Sequence, residues 1–148
     1  VVREIFPRDS TAATLKVISL DFTKGFCYFT PMHRKYEQLL EMATNVAIRR
    51  MSRIYSYQFG LAAIRRDGAI IRAYNEYSDV PMPPAHAEYR GSQKAGRNSV
   101  IAVVRLNNSH KWLLAKPCDR CKAFMQNNGI KRVLYSIDEG EYGVMDLS

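Results

Sequence analysis

The sequence predicts an α/β domain with a mixed, partly parallel central sheet of about five strands and helices packed on it. Three observations carry this expectation. Apolar residues recur every three to four positions over 33–54, the period of a helix with one buried face. Two apolar runs flank Arg65-Arg66-Asp67-Gly68, and an Asp-Gly turn between such runs is a strong β-hairpin signal. From residue 86 onward helix-like and strand-like segments alternate, as they do where crossover helices join the strands of a sheet.

Taken in order, residues 1–32 read as an N-terminal extension and 33–148 as one domain. Within the extension, "TLKVISLDF" and "FCYFTP" are two β-type runs around Gly25, a candidate hairpin. Oligomer contact, substrate cover and core extension all fit it. Over 33–54 the helical stripe is Tyr36, Leu40, Ala43, Ala47, Met51 and Ile54, widened by Leu39 and Val46, while Arg49, Arg50 and Arg53 lie off it as a solvated basic face or, alternatively, a phosphate-binding one. Strands are expected near 56–64 and 69–75, followed by the proline-rich loop "EYSDVPMPP". A helix of about ten residues opens at His86 and stops near Gly96. "SVIAVVRL" reads as a buried strand, "NNSH" as a turn and "KWLLAK" as a strand or extended lead-in. "PCDRCKAFMQNNG" is a helix with Pro117 in its first turn and Asn128-Gly129 as its stop. "IKRVLYSI" is the last legible strand.

Composition narrows the class. With 47% hydrophobic and 24% charged residues in 148, the chain suits one soluble domain that buries its own core. No apolar run approaches the roughly 20 residues of a membrane-spanning helix, and no charged start leads into the apolar core of a secretory signal. Three cysteines, Cys27, Cys118 and Cys121, make a poor disulfide framework; a reducing, cytoplasmic setting and a metal or redox use of the pair are expected. The net charge is +8, with 12 basic and 6 acidic residues over 1–74 against 10 and 8 over 75–148. Such a surface attracts phosphate, or it serves solubility alone.

The chemistry gathers in two stretches, "PAHAEYRGSQKAG" and "KPCDRC". Cys118 and Cys121 at i and i+3 share a helix face, and the positive end of that helix favours thiolates. Two thiolates on one face form half of a tetrahedral zinc site. A redox C-x-x-C is the alternative, but no Trp stands immediately before the first cysteine and no early strand leads into it. His86 offers a third, imidazole ligand, although a lone His at a helix start is commonly a cap or a surface residue. Three protein ligands leave a fourth position open to water, the layout of a catalytic rather than a structural zinc site. His110 is not excluded as a ligand by its position; His33 and Cys27 have no ligand-like spacing either. Glu88 points about 200° round a regular helix from His86, so it is an awkward ligand. From an irregular first turn it can reach the attacking water and act as general acid and base. A lone first-turn Glu would simply favour the helix dipole.

His86-Ala87-Glu88, 28 intervening residues, and Pro117-Cys118-Asp119-Arg120-Cys121 match the H-x-E…P-C-x-x-C signature of zinc nucleobase deaminases. Over roughly 35–137 the chain resembles the cytidine/deoxycytidylate deaminase superfamily, and the element order matches its three-layer αβα core. The resemblance implies Zn²⁺ held by His86, Cys118 and Cys121, proton transfer by Glu88, and contact of the Ala87 N–H with the base. Asn75, eleven residues before His86, would contact sugar or base, or is a turn-forming Asn. Apart from the resemblance, Arg90 and Lys116 lie close in sequence to the two motifs and are candidates to meet a 5′-phosphate. Homo-oligomers that complete the pocket across an interface are common in the family and are expected here.

The departures bear on substrate. Small free-cytidine deaminases carry Cys-Ala-Glu where this chain has His86-Ala87-Glu88, which favours the nucleotide, guanine, tRNA-adenosine and polynucleotide branches. "PCDRC" differs from the Pro-Cys-x-Met-Cys of many tRNA-adenosine and guanine deaminases. No helix or strand is legible in the acidic tail "DEGEYGVMDLS", so the family's usual fifth strand and last helix lack a counterpart. The expected function is hydrolytic deamination of a cytosine nucleotide or nucleoside of the dCMP, CMP or cytidine type. The alternative is a cytidine deaminase of single-stranded DNA or RNA, suggested by the charge and the 28-residue gap, though no run interleaves aromatic with basic residues. A tRNA-adenosine or guanine deaminase, or an inactive zinc-binding interaction domain, ranks lower. No membrane partner is expected.

Overall fold

A computed structural model describes residues 16–21, 31–50, 57–75 and 86–147. The elements are β1 (Lys16–Asp21), α1 (Pro31–Arg49), β2 (Tyr57–Ile64), β3 (Ile70–Tyr74), α2 (Ala87–Ala95), β4 (Val100–Asn107), β5 (Trp112–Leu113), α3 (Asp119–Asn127), β6 (Arg132–Asp138) and β7 (Glu141–Asp146). They form one seven-stranded sheet in the order β1-β7-β6-β4-β2-β3, with the two-residue β5 on β4.

The helical period of α1 produces its packing. Tyr36, Leu39, Leu40, Ala43 and Ala47 are all buried, and they meet Ala62, Ala102, Val104, Leu106, Leu134, Tyr142 and Val144 on one sheet face. On the other face Leu61, Ala63, Ala73, Ile101, Val103, Val133, Tyr135 and Met145 pack with Ala87, Cys121 and Met125 from α2 and α3. Strand residues therefore alternate between two cores, as a sheet covered on both sides requires. This is the αβα layering that the sequence implied. Gly91 lets α2 lie close to β2: a Cβ there would stand 2.4 Å from Leu61 Cδ2.

The hairpin signal is accurate, with Gly68 N donating to Arg65 O at 2.9 Å and Gly60 through Ile64 paired antiparallel to Tyr74 through Ile70. β2 is also antiparallel to β4, and β4 is parallel to β6. So β3, β4 and β6 run in one direction, and α2 and α3 both begin at the C-terminal ends of these strands. Ligand sites of open α/β sheets form at this end.

Several expectations change. The tail is not irregular: Glu141–Asp146 is a strand antiparallel to β6, reached through a turn at Gly140 with φ 73°. The first run of the N-terminal extension is not merely half of a local hairpin, because β1 joins the sheet parallel to β7. The return run over 22–30, with Cys27, lies outside the described residues, and Pro31 already opens α1. The first helix ends at Arg49 rather than near 54; Met51, Arg53 and Ile54, like the loop 76–85, lie outside the described residues. "KWLLAK" forms only the two paired residues of β5. Among the described residues no helix is long and apolar enough to cross a membrane.

Candidate metal centre

Local backbone chemistry sets each ligand. His86 is the N-cap of α2 at φ −77° and ψ 143°, and its carbonyl accepts from Arg90 N at 3.2 Å. Its ring makes no capping bond, which leaves it turned to α3, with Nδ1 3.3 Å from Cys121 Sγ. Cys118 is likewise the N-cap of α3, at φ −68° and ψ 164°, again without a side-chain cap. Pro117 therefore precedes the helix instead of occupying its first turn, and Cys118 meets Cys121 from an extended residue rather than along a helical i, i+3 face. The run into Cys118 is fixed by the sheet: Ala115 N donates to Ser136 O at 2.9 Å, and Ser136 Oγ donates to Leu113 O at 2.7 Å. Stacking of Tyr89 on Phe124, with centroids 4.0 Å apart, joins the two helices beside the site.

The ligand atoms of His86, Cys118 and Cys121 all lie within 4.8 Å of one another. Among the described residues this is the one group of three His, Cys or carboxylate side chains so disposed. Zinc bonds of about 2.0–2.1 Å to nitrogen and 2.3 Å to sulfur put neighbouring tetrahedral ligands roughly 3.6–3.8 Å apart, so the cluster fits this ion with small adjustments. His110 is not part of it; it is exposed in the β4–β5 turn at φ 60°.

Electrostatics point the same way. Burial, then the charge of Glu88, then Cys118 push the Cys121 thiol well above its ordinary range. The expected help from the helix end is outweighed, so the protein alone disfavours a thiolate there. A divalent cation reverses that balance, because a coordinating thiol is deprotonated outright. Burial also raises the Glu88 carboxyl, opposed by a backbone hydrogen bond and by the charge on His86. Glu88 is only 5% exposed, whereas His86 and Cys118 are exposed. A carboxyl is thus sequestered beside a cluster that is open on one side.

Asn75 follows directly on β3. Its Oδ1 accepts from Phe59 N at 2.9 Å and from Gln58 Nε2 at 2.5 Å. Sequence reasoning missed Gln58, a buried amide in an otherwise apolar strand; that lone polar residue in "YQFGLAAI" was the available signal. Ala87 is buried, and its N–H is among the free donors of the first turn of α2. Arg90 is half-buried, with its guanidinium 5.3 Å from the Tyr74 ring centroid, and Lys116 is exposed on the run before Cys118. Arg50 approaches the same ring at 4.2 Å.

Residues 33–137 match the family model described as the cytidine and deoxycytidylate deaminase zinc-binding region. Two solved structures share the fold. A cytidine deaminase from Burkholderia pseudomallei aligns with TM-score 0.57 and 19% identity, over 75% of this chain and 91% of that one. A cytidine deaminase from Mycobacterium leprae aligns with TM-score 0.51 and 18% identity, over 76% and 92%. No curated protein matches in sequence.

Proposed function

The chain belongs to the family defined by the cytidine and deoxycytidylate deaminase zinc-binding region, and from that premise we propose that it hydrolyses the amine of a cytosine nucleotide or nucleoside, giving the uracil form and ammonia. The observation that carries this reading is the convergence of His86, Cys118 and Cys121 beside the buried Glu88 carboxyl. Zn²⁺ held by those three side chains supplies Lewis acidity that makes water a nucleophile near neutral pH.

The protein's own groups handle the protons. Glu88 takes one proton from the attacking water and delivers it to the ring nitrogen beside the amine-bearing carbon. The water oxygen bonds to that carbon. Glu88 then takes the proton of the added hydroxyl and delivers it to the amine as the C–N bond breaks, so one water is consumed and one ammonia released. The Ala87 N–H holds the base edge, and the Asn75 amide holds sugar or base. Arg90 and Lys116, flanking the two motifs in sequence, are the cations offered to a 5′-phosphate.

Zinc-loaded protein assayed for ammonia release should act on at least one of cytidine, CMP and dCMP. Activity on guanine, on tRNA adenosine or on single-stranded DNA alone would move the substrate class. Activity on none of them with zinc bound would return the chain to an interaction domain. A sharper test concerns Asn75. Both recorded side-chain bonds use Oδ1, which leaves Nδ2 as the group available to substrate. Asn75→Asp keeps the acceptor and removes that donor. It is expected to raise KM about tenfold or more, the worth of a hydrogen bond of roughly 1.4 kcal/mol, with zinc content unchanged. An unaltered KM would remove Asn75 from the substrate site.

A further inference from the structure

At the end of α2 opposite the metal centre, Arg65, Arg66, Lys94 and Arg97 line an open cleft of about 560 Å³ between the β2–β3 turn and the helix C-terminus. The one acid in it, Asp67, is engaged by its own hairpin: Oδ2 pairs with Arg65 Nη2 at 3.0 Å and Oδ1 accepts from Ala69 N at 3.1 Å. Among the described residues Arg66, Lys94 and Arg97 form no ion pair. Four cations against one acid leave +3 in this cleft, out of a chain total of +8.

His86 caps α2 at its N-terminus, and Arg90 and Lys94, at i and i+4, lie one above the other toward its C-terminus. Eight residues of helical rise separate the first from the last by roughly 12 Å, too far for the 5′-phosphate of a monophosphate whose base lies at Glu88. β3, which packs against α2, is one of the sheet's two edge strands among the described residues. Compact phosphate sites use backbone N–H groups at a helix N-terminus; this cleft lies at a C-terminus and offers long, mobile cations instead. That suits a chain of phosphates rather than a single one.

We propose that the cleft binds the phosphodiester backbone of a single-stranded nucleic acid, at a site separate from the metal centre. Binding by the zinc-loaded full chain is read by fluorescence anisotropy with a labelled oligothymidylate of about 15 nucleotides, within the usual span of single-strand sites. The strand contains no cytosine, so failure of the deaminase reading and failure of this one are separate results. Four phosphate contacts predict a slope of log K against log salt of about −2.8. The triple variant Arg66→Glu, Lys94→Glu, Arg97→Glu should weaken binding at least tenfold and flatten the slope by about 2, with zinc content and unfolding midpoint unchanged. If the triple variant does not fold, Lys94→Ala and Arg97→Ala should each flatten it by about 0.7. Equal binding and equal slope in wild type and variants would overturn the proposal and leave a solubilising surface. Full displacement of the strand by inorganic phosphate or dCMP at matched phosphate concentration would overturn it in favour of a small-anion site.

Discussion

Glu88→Gln is expected to remove deaminase activity almost completely while leaving zinc in place. Glu88 belongs to the first turn of α2, one residue beyond Ala87, and is 5% exposed. Glutamine fills the same volume and retains the helix, so the ligands His86, Cys118 and Cys121 keep their positions. What it lacks is a group that can accept and return a proton. General acid–base catalysis contributes about 10²–10⁴-fold. Glu88 serves as base toward water and as acid toward both ring nitrogen and leaving amine, so the upper end, about 10⁴-fold or roughly 5.5 kcal/mol in barrier, is expected. The measurement pairs kcat/KM for ammonia release with metal content by elemental analysis. Activity within tenfold of wild type, with zinc bound, would exclude a proton-transfer role. Loss of zinc along with activity would show instead that Glu88 organises the ligands.

The separation between a sequestered carboxyl and an open ligand cluster was only partly legible in the sequence. The identities and spacing of His86, Glu88, Cys118 and Cys121 were visible because ligand chemistry restricts residue type. The exact way they meet was not. Treating Cys118 and Cys121 as one helical face assumed that Pro117 lay inside the helix, whereas α3 starts at Asp119 and both His86 and Cys118 are extended N-caps. The 200° objection to Glu88 disappears for the same reason, since it applies only when both residues are helical. Gln58 escaped notice because burial and a partner seventeen residues away are tertiary facts.

The fold shows the same division. Long periodic or punctuated elements were readable: the stripe of α1, the Asp-Gly hairpin, and the glycines that follow α2 and α3. β7 was not. Its Tyr142 and Val144 enter one core, but on the opposite face Gly143 stands where a side chain would complete the alternation. The glycine is there because the Tyr135 ring covers it; a Cβ would lie 2.3 Å from Tyr135 Cζ. The contact that stabilises the strand thus erases its signature. β1 was legible as a strand but not in its pairing, because parallel pairing with β7 spans nearly the whole chain. The cleft was likewise hidden, because its cations come from two distant stretches and it needs the 65–68 turn and the end of α2 to meet.

Zinc removal is expected to abolish activity, lower stability and yet leave the chain folded. The three ligands come from the N-cap of α2, the N-cap of α3 and the first turn of α3. The ion therefore ties two helix ends together rather than forming the core. That core consists of two apolar layers, one on each sheet face, and Cys121 is the one ligand inside either of them. Without metal, burial holds the Cys121 thiol protonated, and a neutral buried thiol packs as a small apolar side chain. No uncompensated charge is left to break the fold. Zinc at a thousandfold excess over its Kd contributes about 4 kcal/mol. For a domain of this size the corresponding drop in Tm on chelation is roughly 8–16 °C. Far-ultraviolet circular dichroism should change little, and added Zn²⁺ should restore both turnover and Tm. Cys121→Ala should reproduce the metal-free protein permanently, with Tm no longer responding to zinc or chelator. Cooperative unfolding on chelation would instead make the ion part of the core, and undiminished turnover of the metal-free protein would remove zinc from the reaction.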